Sequence, residues 1–475
     1  MKPLWTKQEL LKATDANDPT LKFLIENKSN VSGVSINDKT IKKGDIFVAL
    51  KGHKFDGHDF IKSALNKGAA GIIVSDLDAA KKFNALHVTN TKEALIKIAK
   101  FARNRFKGKT IAITGSSGKT STRFIAATTL RKYGATHCTQ GNNNNLIGLS
   151  LTLSRLPSTS KYCVLELGMN HPGEIEELTK IALPNIALVT NVSNSHIENF
   201  KNERAIADAK SEIFLGLTGS STAILNADNK WCQHLFHNAE KVNANVHFYG
   251  FNEKCKTKIL KIEDNKDGTI VCFDNVKNWR LKYLNSFQAT NAVAVISILR
   301  ELKLDISNGM NTISEIKPLP GRGEKITLNF KNKNPSFIID DSYNANPISM
   351  KAALVSFYKS KLNLQNYQTI LIIGDMLELG TASRDMHSKL IPLIRKINPN
   401  FLITLGDETE NISQQLKSDM KCISYTRIEM LLKDIENIIQ PKQLILIKGS
   451  NGTGLWKLLK LIKNRVEIQE NNNAA

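Results

Sequence analysis

The sequence predicts an α/β fold in three domains: a small α/β domain at the N-terminus, a central P-loop domain on a mostly parallel sheet, and a doubly wound, Rossmann-like domain at the C-terminus. Three observations carry this. Short β-branched runs alternate with amphipathic helical patterns along the 475 residues, as α/β architectures require. A buried-strand pattern at residues 110–114 leads directly into a glycine loop and then a helix, the order that anion binding needs. After the stiff break Pro318-Leu319-Pro320-Gly321, four strand candidates are each followed by a helical segment, which is the spacing of a small doubly wound sheet.

Taken in order, residues 1–107 form the first block. Residues 45–50 and 71–74 read as strands around a helix near 60–67, and a helical pattern over 91–106 closes the domain. Residues 108–317 form the second, with strands at 110–114, 162–167, 186–191 and 223–226 and a helix from 120 to about 133. Between 246 and 284 the pattern becomes hairpin-like around the turn Asp267-Gly268, before helix returns at 289–302. Residues 318–475 form the third, with strands at 336–340, 369–373, 401–405 and 443–447. Residues 470–475 read as a disordered tail.

Composition excludes several classes. The chain is too long for one compact core. No apolar run is long enough to span a bilayer, and Met1-Lys2-Pro3-Leu4-Trp5 passes into polar residues rather than a signal core, so a cytoplasmic protein without membrane insertion is expected. The six cysteines lack any CxxC spacing, which speaks against a disulfide framework or zinc knuckle. The formal net charge of +21 is nearly all lysine, scattered along the chain with no arginine-rich or aromatic-interleaved stripe, so no nucleic-acid partner is expected. A monomer is expected.

The chemistry centres on Gly115-Ser116-Ser117-Gly118-Lys119-Thr120. In such a loop successive backbone N–H groups and a helix N-terminus face an anion, the lysine neutralises it, and the hydroxyl reaches Mg²⁺. Only two residues separate Gly115 from Gly118, where four are usual, so the loop is a shortened variant. Glu166, closing the strand Tyr162-Cys163-Val164-Leu165, is placed to supply a carboxylate to that metal. His196, after the next strand, reads equally as a surface-loop residue or a site residue. Lys210, within Ala207-Asp208-Ala209-Lys210-Ser211, reads on periodicity as a solvated helix position.

The short loop resembles that of the Mur ligases, ATP-dependent amide-forming enzymes of peptidoglycan precursor synthesis. The resemblance extends to Gly141-Asn142-Asn143-Asn144-Asn145-Leu146-Ile147-Gly148, Glu166-Leu167-Gly168-Met169-Asn170, Asp341-Ser342-Tyr343-Asn344-Ala345-Asn346-Pro347 and Gly374-Asp375-Met376-Leu377-Glu378-Leu379-Gly380. It implies a UDP-sugar-binding first domain, an ATP-binding second domain, and UDP-N-acetylmuramoyl-tripeptide and D-alanyl-D-alanine as substrates. It further implies that Lys119 contacts the β and γ phosphates, that Thr120 and Glu166 hold one Mg²⁺, and that His196 helps hold a second. Lys210 aligns with a lysine that many members carry as a metal-binding carbamate. Asn291 is implied near adenine, Arg322 at the nucleotide, Asp341 and Asn344 in the same interdomain site, and Asn142, Asn145 and Lys448 at the substrates. Two departures stand out: Phe287-Gln288 where the family often has His-Asn, and Ser35-Ile36-Asn37-Asp38-Lys39 where an Asp-Ser-Arg triplet is common.

A carboxylate does not form an amide at neutral pH without activation. The implied route is therefore an acyl phosphate made from the γ-phosphate and displaced by an amine, a reaction that needs positioning and charge neutralisation more than a covalent nucleophile.

Overall fold

In the computed structural model, residues 3–15, 31–52, 54–265 and 267–462 are described; the expected tail at 470–475 lies outside them. The chain is organised around three sheets. The first has four parallel strands in chain order, Gly33–Ser35, Asp45–Val48, Gly71–Val74 and Leu86–His87. Helix Thr91–Arg105, capped by the Asn90 side chain, packs its Ala94, Leu95, Ile98 and Ala102 on this core.

The second sheet has nine strands. Its parallel part runs Asn245–Gly250, Thr222–Asn226, Ile186–Val189, Lys109–Thr114, Tyr162–Glu166, Thr136–Cys138 in space, and an antiparallel meander of Thr257–Asn265, Gly268–Phe273 and Val276–Leu281 continues it beyond Asn245–Gly250. The centre of strand Lys109–Thr114 does not alternate apolar with polar residues because both faces are covered: Ile111 and Ile113 join one core cluster and Ala112 the opposite one. It lies between Tyr162–Glu166 and Ile186–Val189, where successive crossovers leave in opposite directions. Such a switch point opens a crevice at the carboxyl ends of the strands.

The third sheet, in the order Glu324–Phe330, Lys333–Asp341, Gln443–Lys448, Gln368–Gly374, Phe401–Leu405, Lys421–Tyr425, is parallel apart from its first hairpin. Its central strands again divide, Ile370 and Ile372 to one face and Leu371 and Ile373 to the other.

The first two sheets are fastened together. Trp5 Nε1 donates to Ser154 O at 2.7 Å, Arg105 stacks on the Trp5 ring, and Leu151 of helix Leu146–Ser154 sits in the first domain's core. The second and third sheets meet through polar contacts, including Lys359 with Asp264 at 2.9 Å.

A buried polar brace ties the meander to helix Ser286–Glu301. His247, 1% exposed, makes 2.8 Å and 2.9 Å hydrogen bonds to Glu301 and Thr257. Burial alone would raise the Glu301 pKa, but hydrogen bonds from Lys256, His247 and Thr222 draw it down to about 2 from an ordinary 4.5. Burial also lowers the His247 pKa. A carboxylate whose folded pKa is depressed stabilises the fold above its unfolded value and loses that contribution as pH falls. Stability is therefore expected to decline as pH falls from 4.5 towards 2, and thermal melts of Glu301→Gln should show a shallower decline over that window than wild type.

Candidate active site

The glycine loop connects strand Lys109–Thr114 to helix Lys119–Leu130 at the switch point. Gly115 (φ +148°) and Gly118 (φ +80°) have backbone that disfavours side chains. Space forbids them too. A Cβ on Gly115 would collide with Thr190 Oγ1, and one on Gly118 would lie 2.8 Å from Asn291 Oδ1. The neighbouring strand end holds the loop in shape: Thr190 Oγ1 donates to Ser117 O at 2.6 Å, Ser117 N to Asn191 Oδ1 at 3.0 Å, and Ser193 N to Ser116 Oγ at 2.9 Å.

Lys119 begins the helix, and its Nζ donates to Gly115 O at 2.6 Å. Burial lowers its pKa, with Glu166 acting in the opposite sense. Thr120 Oγ1 donates to Glu166 Oε1 at 3.1 Å. Glu166, 2% exposed, also accepts from Asn144 Nδ2 at 3.0 Å and from Arg123 Nε at 3.4 Å. Two oxygen donors therefore face each other beside the phosphate loop, as a hard cation requires.

From the third domain, Arg322 Nη2 reaches Thr120 Oγ1 at 3.0 Å, its guanidinium lying over the Tyr343 ring. Gln288, in the Phe287-Gln288 departure from the family pattern, donates to Arg322 O at 2.7 Å and so helps seat that residue. Asn346 caps helix Pro347–Asn363 and donates to Ser116 O and Ser195 Oγ at 3.2 Å and 2.9 Å. Asp341 and Lys448 are register partners on adjacent strands, joined at 2.8 Å, and Lys448 Nζ also donates to Asn344 O. Burial raises the Asp341 pKa against the pull of Lys448. His196 approaches Glu378 to 2.6 Å, and both residues have left-handed backbone, at φ +60° and +65°.

These groups line one cleft of about 470 Å³ between the second and third sheets. Ser116, Ser117, Gly118, Lys119, Thr120, Glu166, His196, Asn291, Arg322, Asp341, Asn344, Lys448, Asn142 and Asn145 all face it. Asn145 also caps helix Leu146–Ser154. Gly115 shapes the loop without lining the cleft. Asn291 Nδ2 is buried with no hydrogen-bond partner among the described residues, an orphaned donor suited to a ligand acceptor.

Lys210 differs from its expected solvated position. It is 2% exposed and does not line the cleft, and its side chain has no hydrogen bond or ion pair among the described residues. Burial and the nearby Lys119 charge push its pKa well below the ordinary lysine value. Among the described residues no group of three or more His, Cys, Asp or Glu side chains forms a metal cluster. Arg123, Asn144, Tyr343, Asn346 and Glu378 belong to the site but were not singled out from sequence, although four of them lie within or beside the motifs quoted above.

Three family models match: "Mur ligase family, catalytic domain" over residues 30–103, "Mur ligase middle domain" over 113–299, and "Mur ligase, glutamate ligase domain" over 321–451. A UDP-N-acetylmuramoyl-tripeptide–D-alanyl-D-alanine ligase of Rickettsia prowazekii is 35% identical, the match covering 92% of this chain and 96% of that one. Its Escherichia coli counterpart is 30% identical over 91% and 94%. Among solved structures, MurF from Acinetobacter baumannii superposes with a TM-score of 0.81 at 26% identity, covering 97% and 99%. MurF ligase from Thermotoga maritima in complex with ADP gives 0.74 at 26% identity, covering 94% and 99%.

Proposed function

Because the chain belongs to the Mur ligase family, we infer from its cleft that it is an ATP-dependent ligase joining D-alanyl-D-alanine to UDP-N-acetylmuramoyl-tripeptide. The observation that carries this is the convergence of Lys119, Thr120 and Glu166 from the second sheet with Arg322, Asp341 and Lys448 from the third in one cleft. Two substrates approaching a nucleotide from different sides need such a shared cleft.

Residues 108–317 would hold ATP, residues 1–107 the UDP-sugar, and residues 318–475 the incoming dipeptide. The loop amides and Lys119 would grip the phosphates, Asn291 would meet the adenine side, and Arg322 would neutralise charge at the γ-phosphate. The substrate carboxylate would take the γ-phosphoryl group to give an acyl phosphate and ADP, and the dipeptide amine would then displace phosphate. Asn142 and Asn145, on the side nearest the first domain, would orient the peptide substrate. Lys448, fixed by Asp341, would help receive the dipeptide.

The donor set fits one Mg²⁺, with the Glu166 carboxylate and Thr120 hydroxyl 3.1 Å apart. A bound Mg²⁺ supplies neutralisation of phosphate charge. A second, at His196, would find an oxygen donor in the adjacent Glu378 carboxylate, and one from Lys210 only if that side chain carries a carbamate, since an amine offers none. Its burial as an unpartnered, readily neutral amine supports that modification, because the neutral form attacks CO₂. No helix among the described residues is long and apolar enough to cross a membrane, and ATP and UDP-linked substrates suit a cytoplasmic enzyme.

Phosphate release measured with UDP-N-acetylmuramoyl-tripeptide and ATP should require D-alanyl-D-alanine. Equal release without the dipeptide, or with a single D-alanine, would refute the assignment.

A further inference from the structure

We propose that Arg123 is a positioning residue that couples the metal-nucleotide half of the cleft to the muramoyl-peptide half, an inference that rests on the ligase function proposed above. Arg123 lies one turn into the helix that begins at Lys119, with its side chain pointing beneath the cleft and only 6% of the residue exposed. A guanidinium is not buried at that depth without several acceptors. Arg123 has three. Its Nε faces Glu166 Oε2 at 3.4 Å, Nη1 donates to Thr139 O at 2.7 Å, and Nη2 to Gly141 O at 3.4 Å.

The division of labour on Glu166 follows. Oε2 is taken by Arg123, while Oε1 is left to Thr120 and Asn144 on the cleft side. The carboxylate is thereby held with one oxygen towards the phosphate loop, in the orientation that a shared Thr120–Glu166 cation needs. The other end of the guanidinium grips the segment that leaves strand Thr136–Cys138 at the sheet edge and becomes the Asn142–Asn145 loop. That segment is tied further: Thr139 N donates to Val164 O at 3.1 Å, Glu166 N to Thr139 Oγ1 at 3.1 Å, and Gly168 N to Asn144 O at 2.9 Å. One planar, five-donor group thus fixes both the metal carboxylate and the loop expected to orient the peptide substrate, a task that lysine's single nitrogen cannot duplicate.

Calorimetry on the full-length protein tests this without turnover. A non-hydrolysable ATP analogue is titrated with and without Mg²⁺, and UDP-N-acetylmuramoyl-tripeptide is titrated separately. Arg123→Met should lose most of the Mg²⁺-dependent gain in analogue affinity while keeping its Mg²⁺-free affinity, and should bind the tripeptide about tenfold more weakly. Arg123→Lys, which keeps a charge beside Glu166 but cannot reach both carbonyls, should retain the Mg²⁺ gain and still bind the tripeptide weakly; it also serves if the methionine variant does not fold. Unchanged binding of both ligands, or loss of one effect alone in Arg123→Met, would overturn the proposal. Failure of the wild type to bind the tripeptide would instead count against the ligase function.

Discussion

Replacing Lys119 by alanine is expected to abolish dipeptide-dependent phosphate release, lowering kcat about a thousandfold or more, with little change in melting temperature. The asymmetry follows from its contacts. Among the described residues the only hydrogen bond of the Lys119 ammonium runs to Gly115 O within its own loop, so the fold does not depend on it. The loop keeps its form through Thr190, Asn191 and Ser193, all unchanged in the variant. What disappears is a desolvated cation beside Glu166 and Arg322, where transferred charge is stabilised far more than in water. Single-turnover phosphate release with parallel thermal melts measures both halves; dipeptide-dependent turnover near the wild-type rate would sink the phosphate-binding role.

Lys210→Ala should be nearly as damaging, lowering kcat about a hundredfold or more, yet partly reversible by adding formate or acetate. A buried lysine amine is costly if charged, and Lys210 has no ion-pair or hydrogen-bond partner among the described residues to offset that cost. Converted to a carbamate, the same side chain becomes an anion with two oxygen donors, and a small carboxylate could fill the space left by alanine. Wild-type enzyme depleted of CO₂ should lose activity and regain it on bicarbonate addition. Turnover of Lys210→Ala at the wild-type rate would exclude a carbamate role, while loss without any carboxylate rescue would argue for a purely structural lysine.

Some of this architecture is legible in the sequence alone, for physical reasons that differ between elements. Residues 110–114 read as a buried strand because both faces are covered, leaving the apolar centre Ile111-Ala112-Ile113 flanked by β-branched threonines. The strand Phe401–Leu405 was located to its ends by the same effect. Edge strands carry a weaker signal: Thr136–Cys138 is three residues long, and Lys421–Tyr425 has a largely exposed face. Glu324–Phe330 was also missed, although Ile326, Leu328 and Phe330 alternate with polar residues and Asn332, in left-handed backbone at φ +56°, marks the turn that follows. At the site, residues within one motif were visible together, whereas Arg123 acts on Glu166 from 43 positions away and Asn346 on Ser116 from 230. Such pairings are made by crossovers, and no local pattern encodes them. The Lys210 case is opposite: its helix period suggested solvent, and only the packing of neighbouring elements buried it.

The two loop glycines bear on how this enzyme could escape an inhibitor. A compound that hydrogen-bonds only to the backbone of residues 115–118 contacts atoms that no substitution except proline, which lacks the N–H, can delete. Replacing Gly115 would drive a side chain into Thr190, and replacing Gly118 would drive one into Asn291, so the loop has little room to shift its course by mutation. Resistance would have to arise at the cleft's outer walls, such as Asn142 or Tyr343. A molecule that stays clear of those walls would leave few single-residue routes to resistance.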